Sequence, residues 1–226
     1  MVLNCIKLIF NWFLDLIFPI FCVVCDKYGD FLCADCFEKL NVKPKFISSR
    51  SLVKKKRVSQ SFSRYIAAVW WFWDYRDERI KKIIQEYKFS QIKGLAPYFA
   101  KIFRRFFQDL KNIEIVPVAP NKNRMKARGF DHIHEILPQN RCSVFVRLER
   151  IKNTAIQSLA QDKKERLKNL KNAFVAKVSP GADKSKIIYL VDDILSSGAT
   201  ALSVAKTLRQ VGYKKIYLIV LAYRKI

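Results

Sequence analysis

Two stretches of this chain, residues 187–191 (IIYLV) and 216–222 (IYLIVLA), are apolar without a break. A strand with one wet face alternates apolar and polar residues, whereas a strand buried on both faces has no reason to. Five residues bounded by Lys186 and Asp192 are too few for a helix, so the first run reads as a doubly buried strand. Such a strand needs helices on both sides of its sheet, and helical spacing is present in the intervening sequence. Residues 77–89 carry it through Ile80, Ile83, Ile84 and Tyr87. Residues 94–110 form another helix, and residues 199–211 place Ala201, Val204, Ala205 and Leu208 on one face before Gly212 stops the helix. Further strands are expected over 65–73, 113–118, 142–148 and 173–178, with Ser179-Pro180-Gly181 as a turn. Residues 119–130 read as a polar, basic loop, and 150–172 as a very polar stretch with a helical later half. Strands alternating with helices imply an α/β fold: a mainly parallel sheet, right-handed crossovers, helices on its flanks.

A chain of 226 residues has room for one such domain and a small module besides. Its 43 Lys and Arg against 19 Asp and Glu give a formal net charge of +24, which favours polyanionic partners: nucleic acid, anionic lipid or a highly phosphorylated ligand. Part of that charge is concentrated in residues 41–64, which hold eight Lys or Arg, including Lys54, Lys55, Lys56 and Arg57, many serines and no acid. This segment reads as an exposed basic linker, either solvated or in contact with a polyanion. It separates an N-terminal module, residues 1–40, from a main domain, residues 65–226. Trp70, Trp71 and Trp73 follow closely; at least two belong in the core, and any exposed one is a platform for a base.

Within the N-terminal module, Leu3, Ile6, Phe10, Phe13, Leu14 and Ile17 share one side of a helix over 2–18, while Asn4, Lys7, Asn11 and Asp15 interrupt the apolar run. The pattern is amphipathic, suited to docking on the protein's own core or lying on a membrane surface, and not to spanning a bilayer. Cys22-x2-Cys25 and Cys33-x2-Cys36 follow, seven residues apart. Each CxxC presents two sulfurs from a tight knuckle, and two knuckles complete the four-sulfur shell that zinc prefers. A redox pair is the competing reading; a secreted disulfide framework needs an export signal, and the N-terminus offers a poor one. Cys5 and Cys142 have no partner pattern.

The run Asp192-Asp193-Ile194-Leu195-Ser196-Ser197-Gly198-Ala199-Thr200 follows the first buried strand. In an open α/β sheet, ligands bind beyond the carboxyl ends of strands, where the two acids emerge. Adjacent carboxylates accept hydrogen bonds from vicinal hydroxyls, as on a ribose. The small, hydroxyl-rich turn then offers backbone N–H groups at a helix N-terminus, where a phosphate is favoured. A capped helix start is the plain structural alternative. Carboxylates next to a phosphate repel it unless the sugar separates them or a divalent cation screens them.

Residues 191–200 resemble the motif of type I phosphoribosyltransferases that binds 5-phosphoribosyl 1-pyrophosphate (PRPP). Two serines stand where threonines are common. The likeness extends to Val116-Pro117-Val118, to Arg124, Lys126 and Arg128-Gly129-Phe130, and to the spaced series Arg150, Thr154, Gln157, Leu159, Arg166, Asn169 and Phe174. Together with Tyr75, Ile80, Ile84 and Lys88-Phe89, these resemble the ComF (ComFC/GntX-like) family. Asp131 and His132 depart from the asparagine and glutamine usual there, and the segment from His132 to Arg150 is short for a base-binding hood. Both histidines, His132 and His134, read as surface or loop residues.

The resemblance implies a type I phosphoribosyltransferase-like fold with a small N-terminal four-cysteine zinc module. It implies PRPP bound with Mg²⁺, the ribose on Asp192 and Asp193 and the 5′-phosphate on Ser196, Ser197, Gly198, Ala199 and Thr200. Arg124, Lys126 and Arg128 are then candidates for the pyrophosphate. It also implies DNA uptake in natural transformation: a cytoplasmic protein, at the inner face of the inner membrane beside the uptake machinery. The positive charge of the 41–64 segment points separately to single-stranded DNA on Lys54, Lys55, Lys56 and Arg57. A nucleobase-salvage phosphoribosyltransferase and a PRPP-sensing regulator are the alternatives.

Overall fold

A computed structural model of the protein describes residues 19–90, 92–151 and 172–224. The expected helix over 2–18 lies outside the described residues, as do Thr154, Gln157, Leu159, Arg166 and Asn169. The fold is mixed α/β around a mostly parallel five-stranded sheet. Its strands are β1 (Lys45–Ser48), β2 (Ala68–Asp74), β3 (Ile113–Pro117), β6 (Ile187–Leu195) and β7 (Lys215–Tyr223), in the order β1-β2-β7-β6-β3. All neighbours are parallel except β1, which runs antiparallel to β2 at the edge. β4 (Val146–Arg150) and β5 (Phe174–Val178) form a separate antiparallel pair.

The uninterrupted apolar runs have the predicted cause. Along β6, Tyr189 and Val191 join one core, with Phe103 and Phe107, while Ile188 and Leu190 join the other, with Val204 and Leu208. Along β7, Ile219 and Leu221 face the first core and Leu218 and Val220 the second. The first core is closed by the helices Glu78–Lys88 and Ala96–Phe107, the second by Ala199–Gln210. The cysteine module packs on the first core through Leu32 and Leu40, and the Trp73 indole N–H donates to the Leu40 carbonyl at 3.1 Å. Trp71 and Trp73 are buried, as expected of strand residues, and Trp70 is half-buried. No helix among the described residues is long and apolar enough to cross a membrane.

Three expectations are corrected. The basic segment 41–64 is not an exposed linker: it contains β1 and the short helices Ser49–Lys54 and Phe62–Tyr65. Leu52, Val58 and Phe62 sit in the second core, while Lys54, Lys55 and Lys56 stay exposed. Residues 119–130 are not a loop throughout, since Lys122–Arg128 is a helix capped by the Asn121 carboxamide oxygen, which accepts from the N–H groups of Asn123 (3.0 Å) and Arg124 (3.2 Å). Gly129 ends it at φ +80°, a left-handed position natural to glycine. The strand expected over 142–148 lies later, at Val146–Arg150.

If the 41–64 segment is structural, Phe62→Ala will destabilise the protein by about 3–5 kcal/mol, the range for truncating a buried phenylalanine. Phe62 is 0 % exposed. Urea denaturation monitored by tryptophan fluorescence measures this; a solvated linker predicts no change.

Candidate functional site

β6 continues through the two acids and ends at Leu195, paired to β7 as far as Tyr223. Asp192 and Asp193 therefore leave the carboxyl end of a central strand, and the chain turns through Ser196 and Ser197 into the helix Ala199–Gln210. The cap residue, Gly198, has φ +74° and supplies no side-chain cap to the helix N–H groups. A Cβ there would lie 2.8 Å from the Phe62 ring and 3.2 Å from Val58, so glycine is required by both conformation and space. The same contact seats the basic segment against the turn.

A cleft of about 330 Å³ opens beyond the strand end. Asp192, Asp193, Ser196 and Thr200 line it, as do five cations: Lys88, Arg124, Arg128, Arg150 and Arg224. A further 40 Å³ recess is lined by Asp192 and Ser196, Ser197, Gly198, Ala199 and Thr200. Of the predicted anion-binding residues, the structure brings together Arg124 and Arg128 with the acids, whereas Lys126 is exposed and lines neither space.

Sequence reasoning missed Lys88 and His132 as site residues. Lys88 Nζ and His132 Nε2 both lie 2.6 Å from Asp193 Oδ2. His132 lies in a turn, as the loop reading has it, but the surface reading is corrected, because the residue is 8 % exposed and its Nδ1 meets Arg128 Nη1. His134 is exposed, as expected. Arg128 is itself buried, and its Nε donates to the Lys88 carbonyl at 2.6 Å. Lys88 and Arg128 are 40 residues apart in the chain and His132 and Asp193 are 61 apart, beyond the reach of any local pattern.

The adjacent acids differ electrostatically. Burial, then the Asp193 charge, pushes the Asp192 carboxyl up to about 7, against the backbone N–H of Asp193, which donates to Asp192 Oδ1 at 2.9 Å. Burial would raise Asp193 too, but Lys88 and His132 outweigh it and hold that carboxyl far below the usual carboxylate range. Burial also lowers Arg128 and Arg150.

In the module that packs on the first core, the sulfurs of Cys22, Cys25, Cys33 and Cys36 lie within 4.8 Å of one another, and Cys25 and Cys33 are 3.7 Å apart. A tetrahedron with metal–sulfur bonds of about 2.3 Å separates its sulfurs by roughly 3.8 Å. The four cysteines therefore fit a metal ion such as zinc. Burial alone would raise the Cys22 thiol, but backbone N–H groups of Cys33, Val24 and Cys25 bring it down to about 6, towards the thiolate a metal needs.

No family model matches the chain. Competence protein F of Haemophilus influenzae is 28% identical to it over 151 residues, which cover 62% of this chain and 66% of that protein. The chain thus spans just under two thirds of the length of the curated relative it matches. This similarity supports a relationship to the ComF family.

The electrostatic asymmetry predicts opposite effects at neighbouring positions. Because the folded-state pKa of Asp192 is raised, its contribution is present below the usual carboxylate pKa and is lost as pH rises through about 7. Asp192→Asn will therefore stabilise the protein at pH 8, on the order of 1–3 kcal/mol, since each tenfold change in proton affinity corresponds to about 1.4 kcal/mol, and have little effect near pH 4. Asp193 has a lowered pKa, so its contribution is present above the usual value and lost in acid. Asp193→Asn will cost roughly 3 kcal/mol at pH 8 by leaving Lys88 without its anion. Denaturation of both variants at the two pH values checks the signs.

Proposed function

We propose, from this relationship to the ComF family, that the protein is a DNA-uptake factor that binds PRPP in the carboxyl-end cleft and single-stranded DNA on its basic surface. The similarity to competence protein F supports the competence role. What most supports the PRPP reading is a cationic cleft with two carboxylates at a strand end and a phosphate-sized recess beside them. The ribose hydroxyls donate to Asp192 and Asp193. The 5′-phosphate sits on the Ser196–Thr200 turn, at the N-terminus of the helix Ala199–Gln210. Arg124 and Arg150, which line the cleft, take the pyrophosphate, and Arg128 lines the same cleft while bonded to the Lys88 carbonyl and His132.

Magnesium accompanies the ligand. Lys88 and His132 engage Asp193, so Asp192 is the carboxylate left to support a cation that the pyrophosphate itself carries in. Zinc on Cys22, Cys25, Cys33 and Cys36 holds the module to the first core. The protein acts in the cytoplasm, beside the uptake machinery at the inner face of the inner membrane.

A second reading, a phosphoribosyltransferase with turnover, is favoured by one observation. A cavity of about 560 Å³ shares Val118, Ala119, Pro120 and Arg150 with the anion cleft, and so offers room for an acceptor beside it. Release of pyrophosphate in the presence of nucleobases distinguishes this reading from binding alone.

Calorimetry with PRPP and Mg²⁺ tests the pocket. Asp192→Ala is the informative variant, since it spares the Lys88 ion pair, and its affinity will fall at least about 30-fold. Neutralising Lys54, Lys55, Lys56 and Arg57 will leave PRPP binding intact, weaken single-stranded DNA binding and lower its salt slope by about 2–3. Unchanged PRPP affinity in the first variant, or an unchanged slope in the second, removes the corresponding site. Elemental analysis will find one zinc per chain, lost together with thermal stability in Cys22→Ser/Cys36→Ser.

A further inference from the structure

We propose that His132 is a positioning residue: a neutral imidazole, fixed in one tautomer, that clamps the Asp193 carboxylate in the orientation from which it accepts a ribose hydroxyl. The ribose role of Asp193 rests on the function proposed above; the clamp rests on geometry alone.

The ring of His132 lies between two groups of opposite hydrogen-bonding character. Its Nδ1 meets Arg128 Nη1, and a guanidinium has donors only, so Nδ1 carries the lone pair. Its Nε2 meets Asp193 Oδ2 at 2.6 Å, and an ionised carboxylate has acceptors only, so Nε2 carries the hydrogen. The doubly protonated ring would set an N–H against the guanidinium. The other neutral tautomer would set an N–H against the guanidinium and a lone pair against the carboxylate. One protonation state of the three satisfies both contacts.

The clamp is braced on each side. The Tyr87 hydroxyl donates to the His132 carbonyl at 2.9 Å, fixing the backbone. Arg128 is anchored by its bond to the Lys88 carbonyl, and the Lys88 ammonium returns to the same Asp193 oxygen that His132 holds. Two donors from different parts of the chain thus converge on Oδ2, which fixes the carboxylate plane and leaves Oδ1 to a ligand. Lys88 alone is a flexible point charge and does not define that plane; the flat ring does. A carboxylate free to turn loses part of its advantage in binding, because the hydroxyl must then meet an acceptor that has first to be ordered.

The same donor–acceptor pair exists on a glutamine amide, whose oxygen can accept from Arg128 while its NH₂ donates to Asp193. Leucine keeps the bulk and supplies neither. His132→Gln will therefore retain PRPP affinity to within about threefold, and His132→Leu will lose about 10- to 100-fold, the scale of hydrogen bonds to a charged group. Unfolding midpoints for both variants separate lost binding from lost fold. If glutamine and leucine weaken binding alike, or neither does, His132 does not position Asp193. Nitrogen NMR of the ligand-free protein, labelled at its two histidines, supplies a test that needs neither PRPP nor a variant. His132 is expected as the Nε2–H tautomer, and a doubly protonated or Nδ1–H ring at pH 7.5 would overturn the clamp. Failure of the wild-type protein to bind PRPP would overturn the ribose reading instead, with the nitrogen signals still deciding the clamp.

Discussion

Three parts of the chain meet at one carboxylate oxygen. Lys88 ends the helix Glu78–Lys88, His132 follows the helix Lys122–Arg128, and Asp193 lies near the end of β6. An ionised carboxylate withdrawn from water carries a heavy desolvation cost, and a buried ammonium does too. Each is tolerable here because the other is 2.6 Å away and His132 donates as well. Asp193 thus ties the end of the helix Glu78–Lys88 to the turn after the helix Lys122–Arg128, and residues of both line the cleft. Arg128 extends the link, since it spans from the Lys88 carbonyl to the imidazole.

That cluster sets two cations, Lys88 and Arg128, against the one carboxylate of Asp193, and the rest of the cleft's described lining is positive as well. Beyond Asp193 its lining holds one carboxylate, Asp192, against Arg124, Arg150 and Arg224. Positive charge concentrated in a concave space attracts a polyphosphate more strongly than the same charge spread on a flat surface. The exposed Lys54, Lys55 and Lys56 lie in the segment whose Val58 and Phe62 press on Gly198, so the basic surface and the turn into the helix Ala199–Gln210 share one piece of core. A ligand that orders the turn acts on the same packing that supports the basic segment, a physical route by which the two proposed sites can influence one another.

Much of the architecture was legible in the sequence because its strongest signals are local. Uninterrupted apolar runs identified β6 and β7, the spacing of Ile80, Ile83, Ile84 and Tyr87 identified the helix Glu78–Lys88, and paired CxxC knuckles identified four sulfurs that converge. The acids and the small-residue turn were legible for the same reason, being contiguous. The basic segment was misread because charge dominates its composition while a few apolar residues, Leu52, Val58 and Phe62, determine its packing. The helix Lys122–Arg128 has no apolar stripe, and only its Asn121 cap and Gly129 stop announce it. Lys88 and His132 were beyond reach, since their significance lies in a carboxylate that the sheet brings to them.

Adjacent, chemically identical residues have opposite energetic roles here, and the backbone is the reason. Successive side chains of a strand point to opposite sides, so Asp192 and Asp193 cannot share one set of partners. Asp193 faces the cations supplied by the helices and stabilises the fold. Asp192, which lines the cleft as Asp193 does, also borders the recess at the Ser196–Thr200 turn, and burial beside the Asp193 charge pushes its carboxyl up to about 7. A residue kept in an unfavourable state at no benefit to folding is the usual mark of a group retained for a ligand. Hydroxyl donors, or a cation carried in by a pyrophosphate, would relieve that cost on binding. In the proposed complex, the cost of ionising Asp192 would then become part of the affinity, while the neighbouring ion pair of Lys88 and Asp193 holds the site in shape.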